Sequence, residues 1–234
     1  MKITSTIAAN TMKTSYRRLS VVTNNIANST TNAFKRRYTS VENGTLYGPD
    51  VNQEFGIENQ KLPSNIGANL SSINIDFSQG SIINSGVSTD FAIEGDGFFG
   101  ILDPTTNELL LTRNGQFTQF EDGIYRDRFG RAVLTDPSIN ANPELQFVLY
   151  SVDPDKLEPI GNNFFTVKEG AEINNNVESP ELFNKIVQFS LEVSNVNLAD
   201  EFVGLMELQN IHSMSSKIFQ LDDEIVESLN SLER

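Results

Sequence analysis

The hydrophobic periodicity of this chain changes twice, and no other feature restricts its fold as much. Residues 3–27 contain neither Gly nor Pro, and Ala8, Met12, Leu19, Val22 and Ile26 recur there at spacings of three, four or seven. Ser5 and Ser15 fill the same stripe. That is a heptad-like helical seam with small residues at two positions. From Ile73 to about Val193 the period falls to two, with Ile73, Ile75 and Phe77, then Phe91 and Ile93, then Val187, Phe189, Leu191 and Val193. From Leu198 the helical period returns as two stripes. One runs Leu198, Phe202, Leu205, His212, Phe219; the other runs Leu208, Ile211, Ile218, Ile225, Leu229, Leu232. Two stripes on one long helix imply apolar contacts on more than one side. The fold class that follows is α+β: long N- and C-terminal helices around a mainly antiparallel β region.

The punctuation between these blocks agrees. Asn24, Asn25, Asn28, Ser29, Thr30, Thr31 and Asn32 compete for backbone hydrogen bonds, so the first helix should stop near 27–29. Residues 38–70 carry Gly44, Gly48, Pro49, Gly56, Pro63 and Gly67 among scattered apolar residues, and read as an extended docking segment. Gly95-Asp96-Gly97, Arg113-Asn114-Gly115, Glu121-Asp122-Gly123 and Arg128-Phe129-Gly130 are closely spaced turn signals, as a meander of short strands requires. Leu145, Phe147 and Leu149, and Phe164 to Val167, supply further strands. Asn197 is a good N-cap for the last helix, with Asp200 and Glu201 in its first turn. The expected division is 1–37 with 195–234 as a helical unit, 38–70 as a linker, and 71–194 as a β-rich domain.

Charge separates the same blocks. Residues 1–37 carry Lys2, Lys13, Arg17, Arg18, Lys35, Arg36 and Arg37 and no acid. Residues 198–234 carry eight acids against Lys217 and Arg234. The two ends look complementary, within one chain or between copies. The net charge of −14 argues against nucleic acid and against anionic membranes, both of which select cationic surfaces. The absence of cysteine removes disulfides, thiolate catalysis and Cys-based zinc sites. No apolar run approaches the roughly 20 residues of a spanning helix. The first residues lack the apolar core of a cleaved secretory signal, so any export is expected by another route.

Candidate chemistry is sparse. Gly95-Asp96-Gly97 lacks the spacing, the Lys and the following helix of a phosphate loop. Asp222-Asp223-Glu224 point in different directions on a helix and read as a solvated face. His212 is the only histidine and reads as a helix-interface residue. Catalytic residues, metal ligands and cofactor sites are all expected to be absent.

Five segments, in order, resemble bacterial flagellar rod and hook proteins. They are Asn24-Asn25-Ile26-Ala27-Asn28-Ser29-Thr30-Thr31-Asn32-Ala33-Phe34-Lys35, Asp76-Phe77-Ser78-Gln79-Gly80, and Asp90-Phe91-Ala92-Ile93-Glu94-Gly95-Asp96-Gly97-Phe98-Phe99. Thr112-Arg113-Asn114-Gly115-Gln116-Phe117 and Ser194-Asn195-Val196-Asn197-Leu198 complete the set. Glu207-Leu208-Gln209 and Ser215-Ser216-Lys217 resemble the family's C-terminal helix. Residues 136–186 match only weakly, and nothing is carried over to them. The family usually has Gly where this chain has Ala33, so the turn there is expected to be less left-handed than usual.

The resemblance, closest to the distal-rod type, implies a non-enzymatic subunit of the flagellar basal-body rod, the shaft that carries torque from motor to hook. It implies terminal helices paired as a coiled coil and stacked about an axis, with the β domain outside. It also implies partners: further copies, other rod and hook proteins, and the flagellar type III export apparatus, with no nucleic acid and no membrane insertion. The implied location is the envelope-spanning basal body. The interface residues expected are Met12, Leu19, Val22, Asn25, Ile26, Ala27, Asn28 and Phe34 near the N-terminus. Near the C-terminus they are Asn195, Asn197, Phe202, Leu205, Leu208, Ile218, Ile225 and Leu229. The alternatives are a proximal-rod or short hook-type subunit, a wall-cleaving or carbohydrate-acting enzyme, and a free-standing adhesin-like β module. The acids of the middle region (Asp96, Asp103, Asp122, Asp127) sit in turns, which disfavours the paired carboxylates a glycosidase needs.

Overall fold

A computed structural model describes residues 2–47, 63–136, 146–178 and 185–232. It is α+β, with one helix at each end and antiparallel strands between them. The chain divides into two units.

The first unit is built from described residues 2–27, 37–47, 63–75 and 197–232. Helix α1 (Lys2–Ala27) ends where the Asn-rich run begins. Helix α2 (Leu198–Leu232) packs on it. Asn197 caps α2: its Oδ1 accepts from the Ala199 N–H at 3.0 Å, satisfying an otherwise orphaned donor of the first turn. The helices run antiparallel, since Val22 lies near Gly204 while Tyr16 stacks edge-on to His212 at 5.1 Å. The buried side chains of the pair are a mixture of small, polar and apolar groups. Ala8 and Ser15 lie seven apart on α1, and Glu201, Leu208 and Ser215 lie seven apart on α2. The Ser15 and Ser215 hydroxyls donate to Thr11 and Ile211 carbonyls of their own helices, so they enter the contact without an unsatisfied donor. No described helix is long and apolar enough to cross a membrane.

Strands β1 (Arg37–Tyr47) and β2 (Pro63–Ile75) pair antiparallel, with register shifts at Ser40/Val41 and Gly44/Thr45. Over its described residues, the extended segment expected at 38–70 therefore consists of β1 and the first part of β2, paired with each other. β2 begins ten residues before the alternation that starts at Ile73, and both strands contact α1.

The second unit comprises residues 28–36 and the described part of 76–196. In chain order its strands are β3 (Ile82–Asn84), β4 (Phe91–Ile93), β5 (Phe98–Leu102), β6 (Leu109–Thr112), β7 (Thr118–Gln119), β8 (Tyr125–Arg126) and β9 (Ala132–Val133). β10 (Leu149–Ser151), β11 (Leu157–Gly161), β12 (Phe164–Val167), β13 (Asn174–Asn175), β14 (Ile186–Gln188) and β15 (Ser190–Glu192) follow. Among the described residues, β5–β13 form one sheet along the path β11-β12-β6-β5-β9-β8-β7, with β10 joining β5 to β13. Separate pairs are made by β14 with β4 and by β15 with β3. The core is aromatic. Phe91, Phe99, Phe117, Tyr125 and Phe147 meet mostly edge to face, at 4.6 Å for Phe91–Phe147 and 5.2 Å for Phe99–Phe117. Gly115 is required by close approach: a Cβ there would collide with the Phe91 carbonyl oxygen.

Two expectations are corrected. The alternating run Val187 to Val193 is not one strand. Phe189 has φ 59° and stands exposed, which turns the chain from pairing with β4 to pairing with β3. Past that kink Ser190, Leu191 and Glu192 are all buried, so the period-two rule fails there. Ala33 is also fully left-handed, with φ 56°, and buried at 2% exposure. The Ala33 N–H donates to the Glu192 carbonyl at 2.8 Å, and tertiary contact holds the conformation without the glycine. Leu145 lies outside the described residues.

Candidate functional site

The Asn-rich segment is held by polar contacts on both of its sides. In the first unit, Asn25 is 1% exposed and grips one residue of β1 with both ends of its amide. Its Nδ2 donates to the Arg37 carbonyl at 2.8 Å, and its Oδ1 accepts from the Arg37 N–H at 3.0 Å. That reproduces one rung of a β-ladder and fixes where β1 leaves the helix end.

In the second unit, Thr31 and Phe34 make successive turn hydrogen bonds to the Asn28 and Thr31 carbonyls, and the Thr31 hydroxyl donates to Asn28 Oδ1 at 3.3 Å. Phe34 is buried behind them. Asn195 closes the turn: its Oδ1 accepts from the Arg36 N–H at 2.6 Å, and its Nδ2 donates to the Asp76 and Ser78 carbonyls. One amide thus joins the segment after α1, the segment after β2 and the segment before α2.

Beneath the turn lies a buried charge cluster. Lys35 Nζ donates to Glu192 Oε1 at 2.7 Å and to the Ser78 carbonyl at 2.8 Å. The Gly80 N–H also donates to Glu192 Oε1, at 2.9 Å. Arg113 Nη1 stands 3.5 Å from Glu192 Oε2 and donates to the Gly95 carbonyl at 2.6 Å. Its guanidinium lies over the Phe98 ring. The three side chains are 1–4% exposed. Burial pushes the Lys35 ammonium and the Arg113 guanidinium below their ordinary pKa values, and the Glu192 carboxylate opposes that shift in both. Arg113 Nε and Glu192 Oε2 make no hydrogen bond among the described residues. Two cations share one carboxylate out of water, so the cluster fixes geometry more than it adds stability.

The partner of Lys35 is therefore an acid of the β region and not of the C-terminal helix. Glu192 and Gly80 escape a reading of periodicity, because a regular strand would turn Glu192 to solvent. Lys35 and Arg113 do stand in the motif segments, and an acid within the strand leading into Ser194-Asn195 was the available signal.

The remaining expected interface residues lie on the helices. Met12, Leu19, Val22 and Ile26 are half-buried and Ala27 is exposed. Leu208 is buried, Leu205 is half-buried, and Asn197 is exposed as the cap. Phe202, Ile218 and Ile225 are exposed, with Ile218 at 46% and Ile225 at 52%. The Leu229 side chain lies outside what is described. Val203, Met206, Met214 and Leu221 add further exposed apolar surface to α2. Between the helices runs a groove of about 340 Å³, lined by Ser15, Tyr16 and Leu19 of α1 and Leu208, His212 and Ser213 of α2.

Residues 187–232 match the family described as flagellar basal body rod FlgEFG protein C-terminal. The chain is similar over most of its length to flagellar basal-body rod proteins FlgG. It is 26% identical to that of Buchnera aphidicola from Schizaphis graminum, covering 92% of this chain and 93% of the relative. It is 24% identical to that of Borreliella burgdorferi, covering 97% of each. It is also 29% identical to the flagellar hook protein FlgE of Rhizobium meliloti over 84% of this chain, which spans 41% of that protein.

Proposed function

We propose that this chain is a structural subunit of the bacterial flagellar rod, of the distal type, assembled through its terminal helices. Its likeness to rod proteins over nearly their whole length supports a rod or hook subunit without enzymatic activity. The observation that carries the mechanism is the apolar surface of α2. Ile211, Met214, Ile218, Leu221 and Ile225 follow the 3,4,3,4 spacing of a coiled-coil seam, and the last four are exposed. An isolated domain rarely leaves such a row uncovered. In a stack of copies the α1–α2 pair forms a coiled-coil layer about the axis, with the β unit inserted between the helices in sequence and lying outward. Met12, Leu19, Val22, Phe202, Leu205, Ile218, Ile225 and Leu229 act at contacts within and between copies. Asn25, Ala27, Asn28, Phe34, Asn195 and Asn197 shape the junctions that present the helices. Subunits reach the growing end through the flagellar type III export route.

Ile218→Asp tests this reading. A charge in an exposed seam leaves the monomer folded and abolishes rod assembly and motility. Motility retained by Ile218→Asp would remove the seam from the mechanism. The likeness to a hook protein favours a second reading, a short hook-type subunit. The axial position of the labelled chain in purified hook–basal bodies separates the two.

A further inference from the structure

The second unit ties its own chain ends together. The chain enters or leaves that unit at residues 28, 36, 76 and 196. Three of these four ends lie at or beside a hydrogen bond of Asn195: Arg36 donates to its Oδ1, Asp76 accepts from its Nδ2, and Asn195 itself precedes residue 196. The Asn195 N–H also donates to the Phe34 carbonyl at 3.4 Å, and Nδ2 reaches the Ser78 carbonyl at 3.0 Å and the Ser78 hydroxyl at 3.1 Å. Arg36 and Asp76 are joined directly as well, since the Asp76 N–H donates to the Arg36 carbonyl at 2.8 Å. Glu192 ties the same two segments a little deeper, through Ala33, Lys35 and Gly80. Gly80 packs so closely there that a Cβ would collide with the Val193 carbonyl oxygen. Strand pairing holds this exit much less: β15 meets β3 only over Ser190–Glu192 against Ile82–Asn84.

We infer that Asn195 is a mechanical clamp: pull arriving along the chain from α2 is shared through it with residues 34–36 and 76–78 before it reaches the strands. A pull on the C-terminal end of β15 alone would open the β15–β3 pair one rung at a time, because each hydrogen bond would carry the whole force in turn. Asn195 sets bonds to two other segments side by side, so the force divides among them and they have to fail together. An amide suits the position, which needs an acceptor for the Arg36 N–H and donors for the Asp76 and Ser78 carbonyls. Without the clamp, torque would go into local opening of a short strand pair, the kind of element that opens at low free energy. The use of such a clamp rests on the reading of the chain as a subunit of a torque-carrying shaft, and the clamp names the residue that resists.

The chain has no cysteine, so Thr106→Cys and Ala199→Cys, both at exposed positions, give two attachment points for single-molecule pulling of the full chain. Thr106 lies between β5 and β6, and Ala199 in the first turn of α2. At a fixed force, Asn195→Ala should open the segment that ends at residue 196 about 10-fold faster than the parent. Asn176→Ala is the matched control. Its amide also accepts from one backbone N–H, that of Leu149 at 2.9 Å, and donates to one backbone carbonyl, that of Phe147 at 3.0 Å, in the same unit but away from the chain ends. Asn176→Ala should lower the stability of the unit in urea yet leave the opening rate within about 2-fold of the parent. No acceleration by Asn195→Ala, or equal acceleration by the two variants, overturns the inference. Asn195→Asp keeps the acceptor for Arg36 but sets a carboxylate against the two carbonyls, and should open at least as fast as Asn195→Ala. Parental opening by Asn195→Asp would likewise overturn the clamp. Each trace starts from a folded molecule, so a variant that folds poorly still reports. The pulling uses the isolated chain, and failure of the rod reading would look different: deleting the whole chain would then leave basal bodies and motility normal.

Discussion

The two units satisfy their polar and apolar groups in different ways. The β unit has a closed aromatic core, although Phe120, Phe129 and Ile160 stand exposed on its surface. Phe91, Phe99, Ile101, Leu111 and Phe147 are all under 2% exposed, and even its charges, Lys35, Arg113 and Glu192, are buried against one another. The helical unit buries Ala8, Ser15, Glu201, Leu208 and Ser215, and it leaves Met206, Met214, Leu221 and Ile225 in solvent. A sheet with an aromatic core gains its stability within one chain. A helix pair that leaves several large side chains exposed gains less by itself, which suits the proposed contacts with neighbouring copies.

That contrast can be broken experimentally. Lys35→Met should destabilise the β unit by about 3–5 kcal/mol, because it leaves Glu192 buried with Arg113 as its remaining cation at 3.5 Å. Urea denaturation of purified protein reads this directly, and a loss below about 1 kcal/mol would show the cluster to be dispensable. The same pair of proteins carries a pH signature. Burial holds the Lys35 pKa below the ordinary 10.5, so the unfolded chain binds this proton more tightly than the folded one. Stability is therefore gained as pH rises through the lowered value and levels off above 10.5. The margin of wild type over Lys35→Met should widen over that range; a shrinking margin would show the shift to be in the other direction.

Asn25→Ala should cost about 1–3 kcal/mol, by stripping the Arg37 N–H and carbonyl of their shared partner. Hydrogen exchange should place the loss at the start of β1 while the aromatic core stays protected. Uniform deprotection would join the two units into one cooperative block. Ala33→Gly should raise stability by about 1 kcal/mol, since glycine adopts φ 56° without the cost an L-residue bears there. Thermal unfolding measures that gain, and a loss would mean that burial of the methyl group outweighs the backbone strain. The smallest effect is expected for Ile218→Asp, within about 0.5 kcal/mol for the monomer despite its loss of assembly. A large monomer effect would show that Ile218 belongs to a closed core and that the units do not differ as described.

The sequence by itself determined the elements whose causes are local. The α1 terminus at Ala27, the Asn197 cap and the strands at Phe91–Ile93, Phe98–Leu102 and Phe164–Val167 all follow from nearest-neighbour chemistry. So does the α+β class, because a change of period survives any tertiary arrangement. The motif segments also placed Asn25 and Asn195 near the junction, though not the atoms they grip. Only the tertiary structure decided the rest. Phe189 breaks a clean alternation because its two halves pair with different strands, and Glu192 is thereby turned inward to meet Lys35, 157 residues away in the chain. Ala33 is left-handed because the Glu192 carbonyl and the packing around it fix the turn more strongly than one residue's backbone preference opposes it. Periodicity reports which faces of an element are apolar. Which of those faces is covered depends on contacts distant in sequence, and on α2 the row of Glu201, Leu208 and Ser215 is buried while the row of Met214, Ile218, Leu221 and Ile225 stays open.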